Sequence, residues 1–552
     1  MVLGAEPGAV SSDFEPPGPG EWALDRSHYP GGTTPISEWL ISESYGAGFE
    51  RIFAELGVPA ERLDARFVNG FFYTRLRPLI SADKPPKRLP PLPVLRVATR
   101  IHPTFRARAR QAAKTFRERP SNDVARRWAR DIKPRLEREN RAFQDVDPAG
   151  LGDADLQQHI SHLLDHLRES FELHFWLHGH DLGPIARYLH ASIGWGLDPH
   201  EAIEALAGAS PSTALPLDRL RRLRRMVEAS DREVATLDDV RAISAEASEL
   251  LDAHLDAHGH VLATGYDITN YTLIELPGVV LHSIRSASSE VPIDDQARAA
   301  ALREQLPEEA THEFDLFLAD ARAVMDMRDD NGPLTVEWPA GLLRRALLEA
   351  GRRLVERGDI VLAAHALELT PHEARALFGG LPAPADLARR AERRVEAARL
   401  DPPATLGAPE LQPPLEVLPK PLADTVAMVQ VSLQYMGMDS APSVDGFAGA
   451  GIGTTPHTGR ACVASSADEA IDKLEPGEVL VVRATSPAFN AVLSIAGAVI
   501  TADGGALSHA AVIARELGIP AVVGASAALS IPDGSIVEVD PAAGIVRVIS
   551  QG

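Results

Sequence analysis

A histidine stands in the stretch whose residue types and spacing are best suited to chemistry, GGALSHAAVIARELGIPAVVG at 504–524. Gly504 and Gly505 follow an apolar run and let the backbone turn sharply, and Ser508 then has the position and side chain of a helix N-cap. His509 falls in the first turn of that helix, where free backbone N–H groups and the helix dipole stabilise an anion. The pattern predicts that His509 carries a phosphoryl group.

The imidazole of His509 suits this role because it titrates near neutrality and is nucleophilic when neutral. Arg515 follows on the same helix and is predicted to reach the phosphate. The predicted catalytic residues of this stretch are His509, Arg515 and Ser508, and the predicted phosphate-binding residues are Gly504, Gly505, Ser508 and Arg515. The alternative is a capped helix whose histidine makes only local hydrogen bonds.

The same stretch resembles the swivelling phosphohistidine domain of the enzymes related to phosphoenolpyruvate synthase and pyruvate phosphate dikinase. The residues that carry the resemblance, with matching spacing, are Gly504, Gly505, Ser508, His509, Arg515, Pro520 and Gly524. Leu507 stands where the synthases and dikinases usually have Thr or Asn. An apolar residue there is more similar to the rifampicin phosphotransferase branch, whose acceptor is an organic hydroxyl.

Composition narrows the class of protein. A chain of 552 residues, 45% hydrophobic and 24% charged, is typical of a multi-domain globular protein. Its formal net charge of -22 opposes binding to nucleic acid or to an anionic membrane, so neither is a predicted partner. Cys462 is the single cysteine, which excludes an internal disulfide, and no apolar stretch is long enough to span a bilayer. We predict a cytoplasmic location.

Periodicity and proline content predict four segments. Residues 1–20 are rich in Gly and Pro and are predicted to be a mobile N-terminus. Helical spacing of apolar residues predicts a large, mainly α-helical acceptor-substrate domain over 21–400. Residues 401–435 form a Pro-rich linker that is not expected to keep a helix, with an ordered surface loop as the alternative. Residues 436–552 are predicted to form a compact α/β swivelling phosphohistidine domain.

Two features of the predicted domains are specific enough to test. Pro134 is expected to kink or split a helix. The aromatic-rich stretch at 67–76 either walls a pocket or packs in a core.

Strands of the C-terminal domain are predicted near 478–482, 498–501, 521–523, 536–539 and 545–549.

The run HFWLHGHD at 174–181 concentrates imidazoles and one carboxylate in an aromatic segment beside a helix-breaking glycine. An Asp beside a His can orient it as a general base for a hydroxyl group. His178, His180 and Asp181 are therefore predicted as catalytic residues and Trp176 as substrate-binding. A hydrogen-bonded structural cluster is the alternative.

A second cluster contains Gly259 and His260 and leads to Asp267. It resembles the Gly-His segment in the acceptor domain of the rifampicin-phosphorylating enzymes, although Val261 replaces the expected Arg. The resemblance implies a catalytic role for His260 and a substrate-binding role for Asp267. The alternative is a polar helix end that is rich in histidine.

The N-terminal segment EWALDRSHYP at 21–30 adds aromatic residues and a histidine in a predicted loop. Trp22, His28 and Tyr29 are predicted to bind substrate, because such loops often line sites, and anchoring against the domain is the alternative. No metal site is predicted. Three histidines at one helical face, 159, 162 and 166, lack the carboxylate spacing of a zinc motif.

The resemblance also implies a partner. Full-length relatives carry an ATP-grasp nucleotide domain before these parts, and phosphoenolpyruvate users carry a barrel after them. Since the sequence shows neither, we expect no tightly bound cofactor, with ATP and Mg²⁺ bound by a separate ATP-grasp kinase subunit that charges His509. This split organisation resembles the phenylphosphate synthase and alkylphenol (4-cresol) phosphorylating systems.

The predicted function is that of a dikinase-type phosphotransferase subunit in a hetero-oligomer of aromatic degradation. It would transfer phosphate from His509 to the hydroxyl of phenol or an alkylphenol and so form an aryl phosphate. One alternative is an antibiotic or another alcohol as the acceptor. The other is a non-catalytic phosphocarrier or regulatory module whose helical region binds a protein. A convergent pocket in the helical domain would favour the enzyme.

Overall fold

The structure of the protein is a computed structural model. It describes residues 13–551 except Ser27, Lys87, Ala207, 288–294, Leu381, 437–446, Ser466, 486–488 and Leu507. Most of the predicted mobile N-terminus, the start of the predicted swivelling domain and Leu507 therefore lie outside the described residues.

The N-terminal region contains a small antiparallel sheet that the sequence analysis did not predict. Its strands, in the spatial order β2-β3-β1-β4, are β1 (Glu21–Leu24), β2 (Ala60–Val68), β3 (Phe71–Pro78) and β4 (Thr405–Gly407). The hairpin between β2 and β3 turns at Asn69 and Gly70, whose φ angles of 51° and 77° are those that two-residue hairpin turns require. The aromatic stretch at 67–76 thus packs in core on this hairpin.

The rest of this region is helical. Its helices are α1 (Pro35–Leu56), α2 (Leu92–Ile101), α3 (Pro103–Glu118), α4 (Ser121–Arg127), α5 (Lys133–Gln144), α6 (Asp153–Gly194), α7 (Pro199–Glu204), α8 (Pro211–Glu228), α9 (Leu237–Arg241), α10 (Ala245–His258), α11 (Pro277–Ser286), α12 (Asp295–Glu304), α13 (Glu308–Ala323), α14 (Met325–Gly332), α15 (Trp338–Arg357), α16 (Pro371–Ala376), α17 (Leu387–Ala397) and α18 (Lys420–Met436). Two π-helical segments, Trp128–Ile132 and Pro333–Glu337, interrupt them. The first lies directly before the turn that holds Pro134, as a split helix requires.

Helix α6 runs through the middle of the helical core for 42 residues. Gly179 lies inside α6 and does not break it, contrary to the sequence-based expectation. Its lack of a side chain serves close packing instead, because a Cβ there would lie 2.2 Å from Cγ1 of Ile52 on α1. The histidine-rich run at 174–181 is therefore one continuous helical surface.

The segment 401–435 departs from the predicted irregular linker. Strand β4 pairs with β1, with Leu406 opposite Trp22, and α18 packs against α3 and α6. A helix is possible here because Pro421 occupies its first turn, where a proline costs no internal hydrogen bond. This part of the chain is built into the helical body.

The C-terminal region is α/β. Its strands are β5 (Ala450–Ile452), β6 (His457–Val463), β7 (Val479–Val482), β8 (Ala498–Thr501), β9 (Ala521–Val523), β10 (Ile536–Asp540) and β11 (Ile545–Ser550). They form one sheet in the order β11-β10-β6-β7-β8-β9-β5, with β6 to β9 parallel. Helices α19 (Ala467–Lys473), α20 (Asn490–Leu493) and α21 (His509–Leu517) connect them. The predicted strands and the combination of a helical region with an α/β domain are confirmed.

Buried residues cover both faces of the C-terminal sheet. One apolar cluster contains Leu480, Val499 and Ala511, and the other contains Val481, Ile500 and Val537. Such burial on two sides explains why these strands are near-continuous apolar runs in the sequence. Among the helices of the described residues, none is long and apolar enough to cross a membrane.

Candidate active site

The turn that carries His509 is fixed by its own backbone. Gly504 has a φ of 117°, a conformation that favours glycine, and the N–H of Ser508 donates to the carbonyl of Gly505 at 2.8 Å. The Ser508 hydroxyl then accepts from the N–H of Ala511 at 3.4 Å and caps α21. His509 is the first residue of the helix, as predicted, beside N–H groups that have no partner within the helix.

One nitrogen of the His509 ring is hydrogen-bonded, and the other is buried without a partner among the described residues. Its Nδ1 lies 2.9 Å from the hydroxyl of Thr485, while Nε2 has no hydrogen-bond partner among the described residues. Burial lowers the pKa of His509 to about 3, so the ring is neutral at pH 7. When Nδ1–H donates to Thr485, the lone pair of Nε2 is available as a nucleophile.

Thr485 is a functional residue that the sequence analysis missed. It follows β7, which is the parallel neighbour of β8, and the His509 turn follows β8. Carboxyl ends of adjacent parallel strands meet at the same edge of a sheet, where ligand sites of α/β proteins lie. The signal available in the sequence was a hydroxyl residue shortly after the predicted strand at 478–482.

Arg515 lies against the same turn. Its Nη2 donates to the carbonyl of Ala506 at 3.3 Å, which holds the guanidinium on the side of α21 that faces the turn. Arg483 and Asp503 form an ion pair at 3.6 Å at the outer end of the turn. Two cations therefore lie close to the segment that is predicted to hold a phosphate.

The His509 turn is docked on the helical body. Ala506, which is 1% exposed, packs into the same apolar cluster as the helical core, and Ala450 packs against that cluster from β5. A second contact joins Ser283 of α11 to Ser494 by a hydrogen bond of 2.8 Å. The predicted phosphate carrier thus lies at the contact between the α/β domain and the helical region.

A group of polar and aromatic residues in the helical region surrounds His28, and we call Asp25, His28, Tyr29, Tyr266 and Glu337 the His28 cluster. His28 Nδ1 lies 2.8 Å from Asp25, and its ring centroid lies 5.4 Å from that of Tyr266. The His28 side chain is 48% exposed. Solvent can therefore reach the imidazole from one side.

The charges of the cluster act on one another. Burial lowers the pKa of His28, but the charge and hydrogen bond of Asp25 outweigh it and raise the pKa overall. Burial raises the pKa of Tyr29 and of Tyr266 far above the usual value, and Glu337 adds to both effects. Both phenol groups stay protonated at neutral pH.

Glu337 ends the π-helical segment before α15. Its side chain is 1% exposed, and neither carboxylate oxygen has a hydrogen-bond partner on another described residue. Burial raises its pKa to about 7, against a hydrogen bond from its own backbone N–H and the attraction of His28. The sequence analysis did not single it out, since only the folded chain brings 337 beside 28.

His178 and Asp181 lie near this cluster on α6. His178 Nδ1 is 3.4 Å from Oδ2 of the fully buried Asp181. The His178 ring lies 4.4 Å from that of His174, whose pKa is lowered by burial and also by His178 and His28. These side chains continue from His28 into the helical core.

Trp22, Trp176 and His180 are placed elsewhere. Trp22 is buried in the small sheet with Phe71, Tyr73 and Leu406. Trp176 and His180 both contact Glu55, at 2.8 and 3.4 Å, beside a separate cleft of about 200 Å³. The structure does not bring these three residues to the His28 cluster.

Asp267 borders the cluster and His260 does not. Asp267 accepts from the backbone N–H and the hydroxyl of Thr34 at 2.8 and 3.0 Å, which holds the start of α1. Its charge also raises the pKa of Tyr29. His260 lies beside Arg345, and burial lowers its pKa. Within the described residues, no three His, Cys, Asp or Glu side chains are grouped as metal ligands.

Comparisons with known proteins agree with the C-terminal site. Residues 474–544 match the family of PEP-utilising enzymes, mobile domain. The chain is 46% identical over 90 residues to a phosphoenolpyruvate synthase of Aeropyrum pernix, a match that covers 16% of this chain and 11% of that protein. It is 43% identical over 95 residues to an uncharacterized phosphotransferase of Bacillus subtilis, covering 17% and 11%.

One relative extends the similarity beyond the mobile domain. An uncharacterized protein of Mycobacterium tuberculosis is 34% identical over 214 residues, which is 38% of this chain and 22% of that protein. This match is longer than the whole of 436–552, so it includes residues outside the α/β domain. All of these matches span less than a quarter of the relatives themselves. Together they support a phosphotransferase that carries phosphohistidine.

Proposed function

We propose that this chain is the phosphoryl-transferring component of an ATP-dependent phosphotransferase, in which His509 passes phosphate to a small hydroxylated acceptor bound at the His28 cluster. The observation that carries the proposal is His509 itself. It is a neutral imidazole at a helix N-terminus whose Nε2 has no partner among the described residues, in a segment that matches a PEP-utilising mobile domain.

The chemistry at His509 is nucleophilic transfer. The Nε2 lone pair attacks the phosphorus of the donor, an N–P bond forms, and the bond from phosphorus to the leaving oxygen breaks. Thr485 accepts from Nδ1–H and stabilises the positive charge that develops on the ring. Backbone N–H groups at the start of α21 and the guanidinium of Arg515 stabilise the phosphate oxygens.

The donor in this proposal is a separate ATP-grasp kinase subunit that binds ATP and Mg²⁺. The acceptor is a phenol or an alkylphenol. Tyr29 lies next to His28 and is fixed by the core, because its ring lies 5.6 Å from that of Phe67 and 5.7 Å from that of Phe72 at nearly right angles. Edge-to-face contacts of this kind also hold an aromatic ligand.

The competing enzyme function is transfer to an antibiotic or another alcohol, and the different class is a phosphocarrier without small-molecule chemistry. The partly exposed His28 supports an enzyme, because together with the ring of Tyr266 it offers a small acceptor both a polar and an aromatic contact. The aromatic neighbours Tyr29 and Tyr266 support an aromatic acceptor over an aliphatic one.

The proposal is tested by loading the protein chemically with radiolabelled phosphoramidate and then adding phenol, 4-cresol or an aliphatic alcohol. We expect an acid-labile label on His509 that moves to the aromatic hydroxyls. His457→Asn is the matched control, since His457 lies on β6 and bonds to the carbonyl of Gly477. Label that stays on the protein with every acceptor would favour the carrier, and transfer only to the alcohol would favour the competing enzyme.

A further inference from the structure

Glu337 is a buried carboxylate without a partner on another described residue. Both of its oxygens are inaccessible to solvent, and none of the other described side chains or backbone groups bonds to them. Buried acids in folded proteins are almost always hydrogen-bonded or ion-paired, since an unpaired one costs stability. A carboxylate that is kept at such a cost indicates a use for its free oxygens.

The backbone around Glu337 is irregular in a way that places the side chain. Residues Pro333–Glu337 form a π-helical turn, an arrangement that often occurs at functional sites. Gly332 supplies the space, because a Cβ there would lie 3.0 Å from Oε1 of Glu337. The carbonyl of Glu337 also accepts from the N–H of Leu262, which ties it to the segment that carries Tyr266.

The neighbours of Glu337 include one imidazole that solvent can reach and two phenol rings. Its charge acts on His28, Tyr29 and Tyr266, and Asp25 acts on the same three side chains. His28 borders space that solvent can enter. Glu337 is therefore a proton acceptor whose charge acts on two phenol rings.

We propose that Glu337 takes the proton from the acceptor hydroxyl during phosphoryl transfer. This inference rests on the proposed function and adds the residue that activates the acceptor. The hydroxyl proton moves to a carboxylate oxygen of Glu337, and the acceptor oxygen attacks the phosphorus on Nε2 of His509. The O–P bond forms while the N–P bond breaks, and its electron pair returns to Nε2, which leaves a neutral imidazole with Nδ1 protonated.

The ionisation of Glu337 suits this step. Burial raises its pKa to about 7, so a useful fraction is ionised at neutral pH and is basic enough to accept a proton. The titratable groups that face it are His28, Asp25, Tyr29 and Tyr266, with His174 beyond His28. A positive His28 favours the carboxylate form, and the tyrosines stay neutral.

The test uses full-length protein loaded with phosphoramidate and a single-turnover chase with phenol at a series of pH values. The wild-type rate is expected to rise with pH through about 7. Glu337→Gln is expected to load normally and to transfer about 100-fold more slowly, with no rise in this range. Asp329→Asn is the matched control, because Asp329 is a buried acid of α14 with a pKa raised to about 6 and lies outside the His28 cluster. It is expected to transfer at the wild-type rate.

The outcomes separate the two proposals. Wild-type transfer by Glu337→Gln, or a wild-type rate that is constant through pH 7, would overturn the role of Glu337 and leave the phosphotransferase standing. Loaded wild-type protein that forms no phenyl phosphate would overturn both the role of Glu337 and the aromatic acceptor. A loading rate and circular dichroism spectrum like those of wild type show that the Glu337→Gln variant is folded.

Discussion

The His509 turn and the His28 cluster are built in opposite ways. The turn comes from one short stretch, and its geometry follows from a glycine with positive φ, a serine cap and the end of one strand. The His28 cluster draws on residues 25–29, 266 and 337, which lie in three separate parts of the sequence. One region is fixed by local backbone rules and the other by packing.

The two regions also differ in how their polar groups are satisfied. In the turn, Nδ1 of His509 has a partner, and Nε2 has none among the described residues. In the cluster, neither oxygen of the Glu337 carboxylate has a partner on another described residue. The contrast indicates that hydrogen bonds organise the turn, whereas the buried carboxylate of the cluster costs stability.

The largest expected effect is on the free energy of unfolding, which the buried Glu337 carboxylate lowers. The pKa of Glu337 is about 7 in the folded protein, against an ordinary value of 4.5 in the unfolded chain. Between these pH values unfolding therefore releases one proton, whereas above pH 7 the carboxylate is ionised in both states and no proton is exchanged. Stability is therefore lost as pH rises from about 4.5 to about 7, by about 3 kcal/mol in all. Glu337→Gln should remove this loss, so that it is more stable than wild type above pH 7, as measured by urea unfolding.

The comparison with wild type at low pH provides the internal control. Below about pH 4.5 the wild-type carboxyl is protonated in both states, so the two proteins should unfold at similar urea concentrations. A Glu337→Gln variant that is less stable than wild type above pH 7 would show that the carboxylate has a stabilising partner.

A smaller effect is expected from Thr485. Thr485→Val removes the oxygen that holds Nδ1–H of His509 and leaves the ring free to adopt the wrong tautomer. One neutral hydrogen bond contributes about 1 kcal/mol, so loading of His509 by phosphoramidate should slow roughly 5- to 10-fold. Thr485→Ser keeps the hydroxyl and should load at nearly the wild-type rate. Equal loading by the valine variant would mean that the bond does not orient the ring.

The smallest effect is expected from the helix cap. Ser508→Ala removes the side-chain oxygen that accepts from the N–H of Ala511. Loss of such a cap costs about 1 kcal/mol, and this should appear as faster hydrogen exchange in the first turn of α21. Ser508→Asp can replace the cap and restore protection. Unchanged exchange in the alanine variant would indicate that docking, rather than the cap, fixes the turn.

The sequence was sufficient to predict the His509 turn because the residues that form it are neighbours in the chain. The start of α21 at His509 and the strands β8 and β9 agree with the prediction. The pairing of β1 with β4 was missed because the two strands lie nearly four hundred residues apart, and no local pattern marks such a pairing. The hairpin of β2 and β3 did have a local signal, the Asn69–Gly70 turn between two apolar runs.

The face of α6 on which each predicted histidine lies determines which residues it contacts. His178 and His180 are two residues apart on α6, and a step of two residues turns an α-helix by about 200°. His178 thus points toward His174 and Asp181, while His180 points toward Glu55 on the opposite side. A cluster of histidines in sequence could be assigned to a site only after the partners of each face were known.

The central claim is that one phosphoryl group passes through His509 to an acceptor, and a single-turnover experiment tests it most directly. Protein loaded with phosphoramidate is mixed with phenol, and the phosphate on the peptide that contains His509 is followed together with phenyl phosphate. The account predicts equal and simultaneous loss and gain, and no product from His509→Asn. Phenyl phosphate formed by His509→Asn at the wild-type rate would contradict it.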